Sequence, residues 1–325
     1  MVKYPTITIT MPCFNRAENL EKFLKNITRQ TYPRECLEIL IADGCSTDQT
    51  VEIAEKYGCT IIQDDTPDLE KRRKMGIEAA KGEFIFIVDD DNFFPNEKLL
   101  VNMMDALLTE GAYAAECVWQ FYDPKDYPMN RYCSLYGTYD PATYYLRRND
   151  HMSIVDQKWT LGGNVVKENN DYFKIRFQPG EVPTMGGQGF LCEKKYIQGG
   201  VVGDAVMHMD ICAKLVEEGK NEFIFMKDYF GHDCVTSKKQ LVQKLKRNII
   251  RYNAESSQRT MNYDMGIWKM VKLGLVMGTF IIPFKDALTG YIKKPDVAWF
   301  LHPVLSFEVA CCYTWNTIAN VFKKS

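Results

Sequence analysis

Lys81-Gly82-Glu83-Phe84-Ile85-Phe86-Ile87-Val88-Asp89-Asp90-Asp91-Asn92 joins an uninterrupted apolar run, Phe84 to Val88, to three consecutive carboxylates. A run of that length, bounded by Gly82 and by acids, reads as a buried strand. Like charges clustered at its end repel one another, and the repulsion is costly unless a cation sits among them. Hard divalent ions such as Mg²⁺ or Mn²⁺ take oxygen ligands, and Mg²⁺ commonly binds through one or two carboxylates plus substrate phosphates. A helix N-terminus would explain one Asp through capping and the helix dipole. Three at a strand end point instead to a metal-nucleotide site.

Upstream of this strand the chain alternates strand and helix signals. The β-branched run 7–11 ends at Pro12, and Leu20, Phe23, Leu24 and Ile27 then recur at helical spacing. A second strand, 38–42, stops at Asp43-Gly44. Thr47 or Asp48 can cap the next helix, which carries Val51, Ala54 and Tyr57 and stops at Gly58. A short strand at 60–62 and a helix over 68–81, ended by Gly82, lead back to Phe84. Short apolar strands separated by helices predict a parallel α/β sheet with right-handed crossovers. Ligands of such sheets bind beyond the carboxyl ends of the strands, where Asn15, Asp43 and Asp89 to Asp91 all fall.

Further on, the pattern predicts a helix over 99–108 and a strand near 112–118. Residues 110–190 read as an irregular region covering the sheet edge, with a loop at 183–189. A helix over 205–218 and a strand over 222–226 reaching His232-Asp233 follow. The 325 residues carry a formal charge of −2, so the protein as a whole is no polyanion binder. Eleven Cys without a CxxC pair read as reduced, mostly buried thiols of a cytosolic protein. The first residues lead into a strand pattern rather than a secretory leader. The sequon at Asn26 falls inside a predicted helix.

Four segments, in order, resemble family 2 glycosyltransferases of the GT-A fold: Thr8-Ile9-Thr10-Met11-Pro12-Cys13-Phe14-Asn15-Arg16, Glu38 through Thr50, Arg73-Lys74-Met75-Gly76, and Lys81 through Asp91. A looser match runs from Gly186 to Asp233. The resemblance implies a GT-A nucleotide-sugar-binding domain with a mostly parallel central sheet, transferring a sugar from a nucleotide-sugar donor with inversion. It implies that Pro12, Asn15, Asp43, Arg73 and Asp90 hold the donor, and that Asp89 and Asp91 take the Asp-x-Asp positions on Mn²⁺ or Mg²⁺. It makes His232 a further candidate metal ligand, against the plain alternative of a structural hydrogen bonder. Many inverting members carry Glu-Asp at the start of the helix predicted over 205–218. Met207-His208 stand there instead, so the candidate catalytic base is Asp210, with Asp204 second; His208 itself can accept a proton. Asp43 as a mere turn former and Asp204 as a mere helix cap are the plain alternatives.

Composition shifts after about residue 235. Nine Lys/Arg face only Glu255 and Asp264 between Lys238 and Lys272, and Leu241, Leu245, Ile249 and Tyr252 form an apolar stripe on this basic stretch. Residues 273–284 are uncharged but short for a bilayer span; 297–322 are long enough, yet His302 and Glu308 interrupt them. With Trp268, Trp299 and Trp315, this region reads as an interfacial anchor on the cytoplasmic face of a membrane, peripheral or monotopic. The acceptor is then a lipid-linked or membrane-proximal glycan. The plain alternative is a helical subdomain whose Lys/Arg form a solvated face. Nucleic acid is disfavoured, because the positive region adjoins apolar runs rather than stacking aromatics in a polar setting. The expected organisation is a catalytic domain over 1–235, with a nucleotide half 1–110 and an acceptor half 111–235, followed by a helical segment 236–325. A sugar nucleotidyltransferase and a non-catalytic nucleotide-sugar-binding relative are the rival readings. The first lacks a Gly-rich phosphate loop after the first strand, and the second must explain intact Asp89 and Asp91. No GxGxxG follows the first strand, against a dinucleotide enzyme.

Overall fold

The computed structural model describes residues 4–197, 201–202, 205–233, 235–255 and 266–324. The chain forms two compact units, Met1–Phe121 with Gly162–His232, and Tyr122–Leu161 with Asp233–Ser325. Residues 122–161, expected within the acceptor half, therefore cluster with the C-terminal helices.

Elements are numbered along the chain. The first unit holds β1 (Ile7–Cys13), α1 (Ala17–Ile27), β2 (Leu37–Asp43), α2 (Thr50–Lys56), β3 (Thr60–Gln63), α3 (Leu69–Ala79), β4 (Phe84–Ile87), β5 (Asn92–Phe93), α4 (Leu99–Glu110) and β6 (Ala114–Gln120). After the excursion into the second unit come β7 (Asn164–Glu168), β8 (Tyr172–Arg176), β9 (Phe190–Glu193), α7 (Lys194–Ile197), β10 (Val201–Val202), β11 (Ala205–Val206), α8 (His208–Glu217) and β12 (Glu222–His232). The sheet order is β3-β2-β1-β4-β9-β6-β12-β8-β7, with β5 on the end of β12. Pairing is parallel across β3-β2-β1-β4 and again between β6 and β12. The β9 strand lies antiparallel between β4 and β6.

Alternation along β1 explains its two neighbours. Ile7, Ile9 and Met11 enter the apolar cluster shared with Leu20, Phe23 and Leu24 of α1 and Leu100 and Met103 of α4. Thr8 and Thr10 face the other side, where α3 packs. A Cβ on Gly76 would collide there with Thr10 Oγ1, so the glycine is what lets α3 lie this close to β1. Asp68 caps α3 by accepting from Glu70 N–H, as a residue at that position should.

Two expectations are corrected. The region 110–190 is far from irregular: it contains α5 (Pro128–Tyr136), α6 (Pro141–Leu146) and the β7–β8 hairpin, which extends the sheet through β12. The helix expected over 205–218 begins only at His208, because Ala205–Val206 pair with β10.

The second unit packs α5 and α6 with α9 (Lys238–Glu255), α10 (Gly266–Gly278), α11 (Ile281–Lys293) and α12 (Leu301–Lys324) around Tyr132, Tyr136, Leu241, Leu245, Met277, Trp299 and Leu305. Leu241, Leu245 and Ile249 of the basic stretch are buried, as the apolar stripe predicted. His302 explains its own place in an apolar segment. It is fully buried, with Nδ1 2.9 Å from Tyr132 Oη and Nε2 3.0 Å from Tyr145 Oη. Tyr145 O–H donates to Asp286 Oδ2 at 3.1 Å, so Nε2–H donates to Tyr145 and Nδ1 accepts from Tyr132. Burial pushes the pKa of His302 down to about 3, leaving it neutral. Among the described residues Val297–Trp315 is the one helical stretch long and apolar enough to cross a membrane, and 39% of it is buried inside the protein.

Candidate active site

Strand register assembles the site from the first unit alone. Cys13 pairs with Asp43 across β1 and β2, and Thr10 with Ile87 across β1 and β4. Pro12, Asp43 and the acids after β4 therefore share the carboxyl edge, as the sequence predicted. Two non-glycine residues there, Asn15 (φ 52°) and Cys45 (φ 60°), adopt the left-handed conformation, which few residues tolerate as well as Asn. Asn15 N–H donates to Ser46 Oγ at 2.9 Å, and its Oδ1 accepts from Thr47 N–H at 2.8 Å. Asp43, 1% exposed, accepts from Ser46 N–H at 2.9 Å and from Gln63 Nε2 at 3.1 Å. Asn15 thus locks the loop between β2 and α2 onto the loop after β1, and Asp43 ties the same loop to the end of β3.

Each of the three acids meets a different base. Asp89 Oδ1 accepts from Arg73 Nη2 at 2.8 Å, Asp90 Oδ2 lies 3.3 Å from Arg16 Nε, and Asp91 Oδ1 lies 3.4 Å from His232 Nε2. The last contact follows from β5, whose antiparallel pairing sets His232 opposite Asn92. Arg73 is buried and also donates to Glu70 Oε2 at 2.9 Å. Burial disfavours its charge, but the Glu70 and Asp89 carboxylates outweigh burial and hold the guanidinium protonated. Burial, and next the Asp91 charge, push the pKa of Asp90 up to about 7, against the pull of Arg16.

Burial is the larger part of that shift, and a divalent cation would relieve the part that the neighbouring carboxylates add. Carboxylate oxygens with one imidazole suit Mn²⁺ or Mg²⁺. Of the expected ligand set Asp91 and His232 come together, whereas Asp89 is turned to Arg73. Among the described residues no group of three or more His, Cys, Asp or Glu is gathered as a ready-made metal cage. The donor types fit a divalent ion, and closing the set requires Asp89 to swing.

On the acceptor side Asp210 is fully buried inside α8, and Asp204 lies outside the described residues. His208, the first residue of α8, is half-buried. A Cβ on Gly187 would sit 3.1 Å from its Nε2 and Cδ2. Three residues escaped the sequence reading. Glu116 on β6 is 1% exposed; burial, then Glu116 and, further down, Asp210 push the pKa of the Cys212 thiol up. Gln63 holds Asp43. Arg72, 6% exposed, donates from Nη1 to Thr66 O at 2.6 Å and lies where a Cβ on Gly44 would sit, 2.6 Å from Nη1. The Arg72-Arg73 doublet beside a helical glycine was the available signal for the last.

Residues 8–166 match the family described as Glycosyl transferase family 2. Among curated relatives, a poly(ribitol-phosphate) β-glucosyltransferase of Bacillus spizizenii is 26% identical over 204 residues, 58% of this chain and 30% of the relative. A dolichyl N-acetyl-α-D-glucosaminyl phosphate 3-β-D-2,3-diacetamido-2,3-dideoxy-β-D-glucuronosyltransferase of Methanococcus voltae is 36% identical over 108 residues, 30% of this chain and 33% of the relative. The chain thus spans about a third of the length of either relative. Among solved structures, the mannosyltransferase PcManGT of Pyrobaculum calidifontis with GDP-Man and Mn²⁺ superposes with a TM-score of 0.57 at 15% identity, covering 100% of this chain and 89% of that one. That likeness is one of fold.

Proposed function

This chain belongs to glycosyltransferase family 2 and has its GT-A fold, and from that premise we propose that it moves a sugar from a UDP- or GDP-linked donor to a lipid-linked or membrane-proximal glycan, with inversion at the anomeric carbon. The observation that carries the reading is the edge where Asp89, Asp90 and Asp91 each face a separate basic side chain beside Asp43. When bound, Mn²⁺ or Mg²⁺ would be held by Asp91 and His232 with Asp89, and as a Lewis acid it would stabilise the charge on the departing diphosphate. Arg73 fixes Asp89 and keeps a permanent positive charge at the same edge. Asp43 is the acceptor for a nucleobase N–H, which uracil and guanine both offer next to a carbonyl. Pro12 and Asn15 shape the loops on which the nucleoside rests, and Asp90 with Arg16 borders the diphosphate.

The acceptor reading rests on the second unit. Its helices expose Trp268 (82%), Leu275 (62%), Ile281 (75%), Ile292 (73%) and Trp315 (74%), together with Lys269, Lys272, Lys285 and Lys293. Large apolar tips interspersed with lysines suit the headgroup layer of an anionic leaflet, each lysine contributing about 1 kcal/mol near its surface. The reading places the protein peripherally at a cytoplasmic membrane face, and the dolichyl-linked acceptor in the name of the Methanococcus voltae relative agrees with a lipid-linked acceptor.

Calorimetric titration with UDP and with GDP, each with and without Mn²⁺, tests the donor site. Micromolar binding of one nucleotide that chelator removes is the expected result; binding of neither refutes the reading. Sedimentation with vesicles tests the acceptor side. The protein should pellet with phosphatidylglycerol vesicles at low salt and less with phosphatidylcholine, and staying in the supernatant with both overturns the membrane assignment.

A further inference from the structure

Deprotonating an acceptor hydroxyl requires a base that reaches the acceptor and stands near the departing diphosphate. The two buried carboxylates of this region, Asp210 at 0% and Glu116 at 1% exposure, are closed off from any acceptor. We propose that His208 is the base. This rests on the glycosyltransferase reading above and names the group that performs its proton transfer.

Three observations place His208 there. The loop carrying Gly186 and Gly187 runs into β9 beside the carboxyl end of β4, since Gly189 N–H donates to Ile87 O at 3.0 Å. Asp89 follows Ile87 by two residues, so this loop belongs to the same edge as the acids. The imidazole lies against Gly187, 3.1 Å from where a Cβ would be, and Gly186 (φ +102°) would bring a Cβ within 2.7 Å of the His208 carbonyl oxygen. Side chains at either position would thus crowd His208, and the paired glycines leave it room. Finally, His208 is the first residue of α8 and is only half-buried, whereas Asp210, two residues further along the helix, is fully buried.

The step balances simply. The acceptor O–H gives its proton to an imidazole nitrogen of His208 as the acceptor oxygen bonds to the anomeric carbon. The bond from that carbon to the diphosphate oxygen breaks, and its electron pair leaves with the nucleoside diphosphate. The imidazolium then returns its proton to solvent. No redox partner is needed.

Four histidines occur in the chain, and His151, His232 and His302 are 2%, 4% and 0% exposed. Diethylpyrocarbonate, which carbethoxylates accessible neutral imidazoles, should therefore mark His208 first, as read by peptide mass. A donor sugar nucleotide present with Mn²⁺ at ten times its Kd should slow that labelling about tenfold. Labelling that starts elsewhere, or that the bound donor leaves unchanged, overturns the assignment without any turnover being needed. In parallel, UDP or GDP release is followed from UDP-glucose, UDP-N-acetylglucosamine and GDP-mannose, with water and with octyl β-D-glucoside as acceptors. His208→Ala should lower kcat at least ~100-fold while donor affinity stays within about threefold, and added imidazole should restore part of the rate. A His208→Ala protein as fast as the unaltered one, or Asp210→Asn showing this signature in its place, refutes the proposal. Absence of calorimetric binding of every donor takes down the glycosyltransferase reading instead, a result distinct from failure of His208 alone.

Discussion

Asp91→Asn is expected to abolish metal-dependent binding of nucleoside diphosphate and to cut turnover by ~10³-fold or more, the equivalent of the several kcal/mol a Lewis acid supplies at a departing phosphate. The substitution keeps the shape of the side chain and removes the charge a divalent ion needs. Asp91 Oδ1 is within 3.4 Å of His232 Nε2, and its side chain is 26% exposed, so the variant should fold. It should even lose a strain. Burial is the largest cause of the raised pKa of Asp90 and the Asp91 charge the next, so in the variant that pKa falls from about 7 but stays above the usual carboxylate range. The metal-free variant should therefore unfold no more readily than the unaltered protein at pH 8, where Asp90 is otherwise forced to ionise beside a second charge. The sign is fixed by the raised pKa: ionised Asp90 costs stability above about pH 7, and that cost fades as pH falls through 7. Calorimetry with Mn²⁺ and thermal melts at pH 6 and 8 read the two effects separately. Undiminished metal-dependent binding in Asp91→Asn would remove this residue from the site.

The part of this molecule that could be read beforehand is the part whose rules are local. Strands β1, β2 and β4 are short runs rich in apolar and β-branched residues, β1 continuing through Pro12 to Cys13, and α3 among the helices between them carries a visible cap at Asp68. Their carboxyl edge then follows from topology, so Asn15, Asp43 and Asp89 to Asp91 fall together in the structure as they did in the sequence. Elements defined by distant pairing were harder. Residues Asn92–Phe93 are too short for any periodicity, yet their register on β12 is what delivers His232 to Asp91. The β7–β8 hairpin is recognisable as sheet only through its pairing with β12. Two helices were legible and overlooked. Asp140-Pro141 is an N-cap followed by Pro at the first helical position, and Pro128 takes the first position of α5, there without a side-chain cap before it. The roles of buried polar groups were hidden for a different reason. Whether Asp210 or His208 meets solvent depends on where α8 begins, and β11 claims the preceding residues by a pairing that no spacing reveals.

Arg73→Met is expected to destabilise the protein by about 3–5 kcal/mol, because it removes the cation from a buried ion pair and leaves the carboxylates behind. The guanidinium is 2% exposed, and Glu70, which accepts from its Nε at 2.9 Å, is itself only 8% exposed. The melting temperature should fall on the order of 10 °C. A structural and a functional role can be separated by a cycle. Replacing Glu70 as well, in Glu70→Met/Arg73→Met, exchanges the pair for apolar groups of similar length, and such exchanges are often close to neutral. Stability should return in large part, with a coupling between the two sites of about 1–3 kcal/mol. Activity should not return, because Asp89 will still lack the partner now 2.8 Å away and the edge will still lack its permanent positive charge. Recovery of both stability and nucleotide binding in the double variant would reduce Arg73 to a structural residue. Recovery of stability alone would show that burial of this ion pair is retained for the site it holds rather than for the fold.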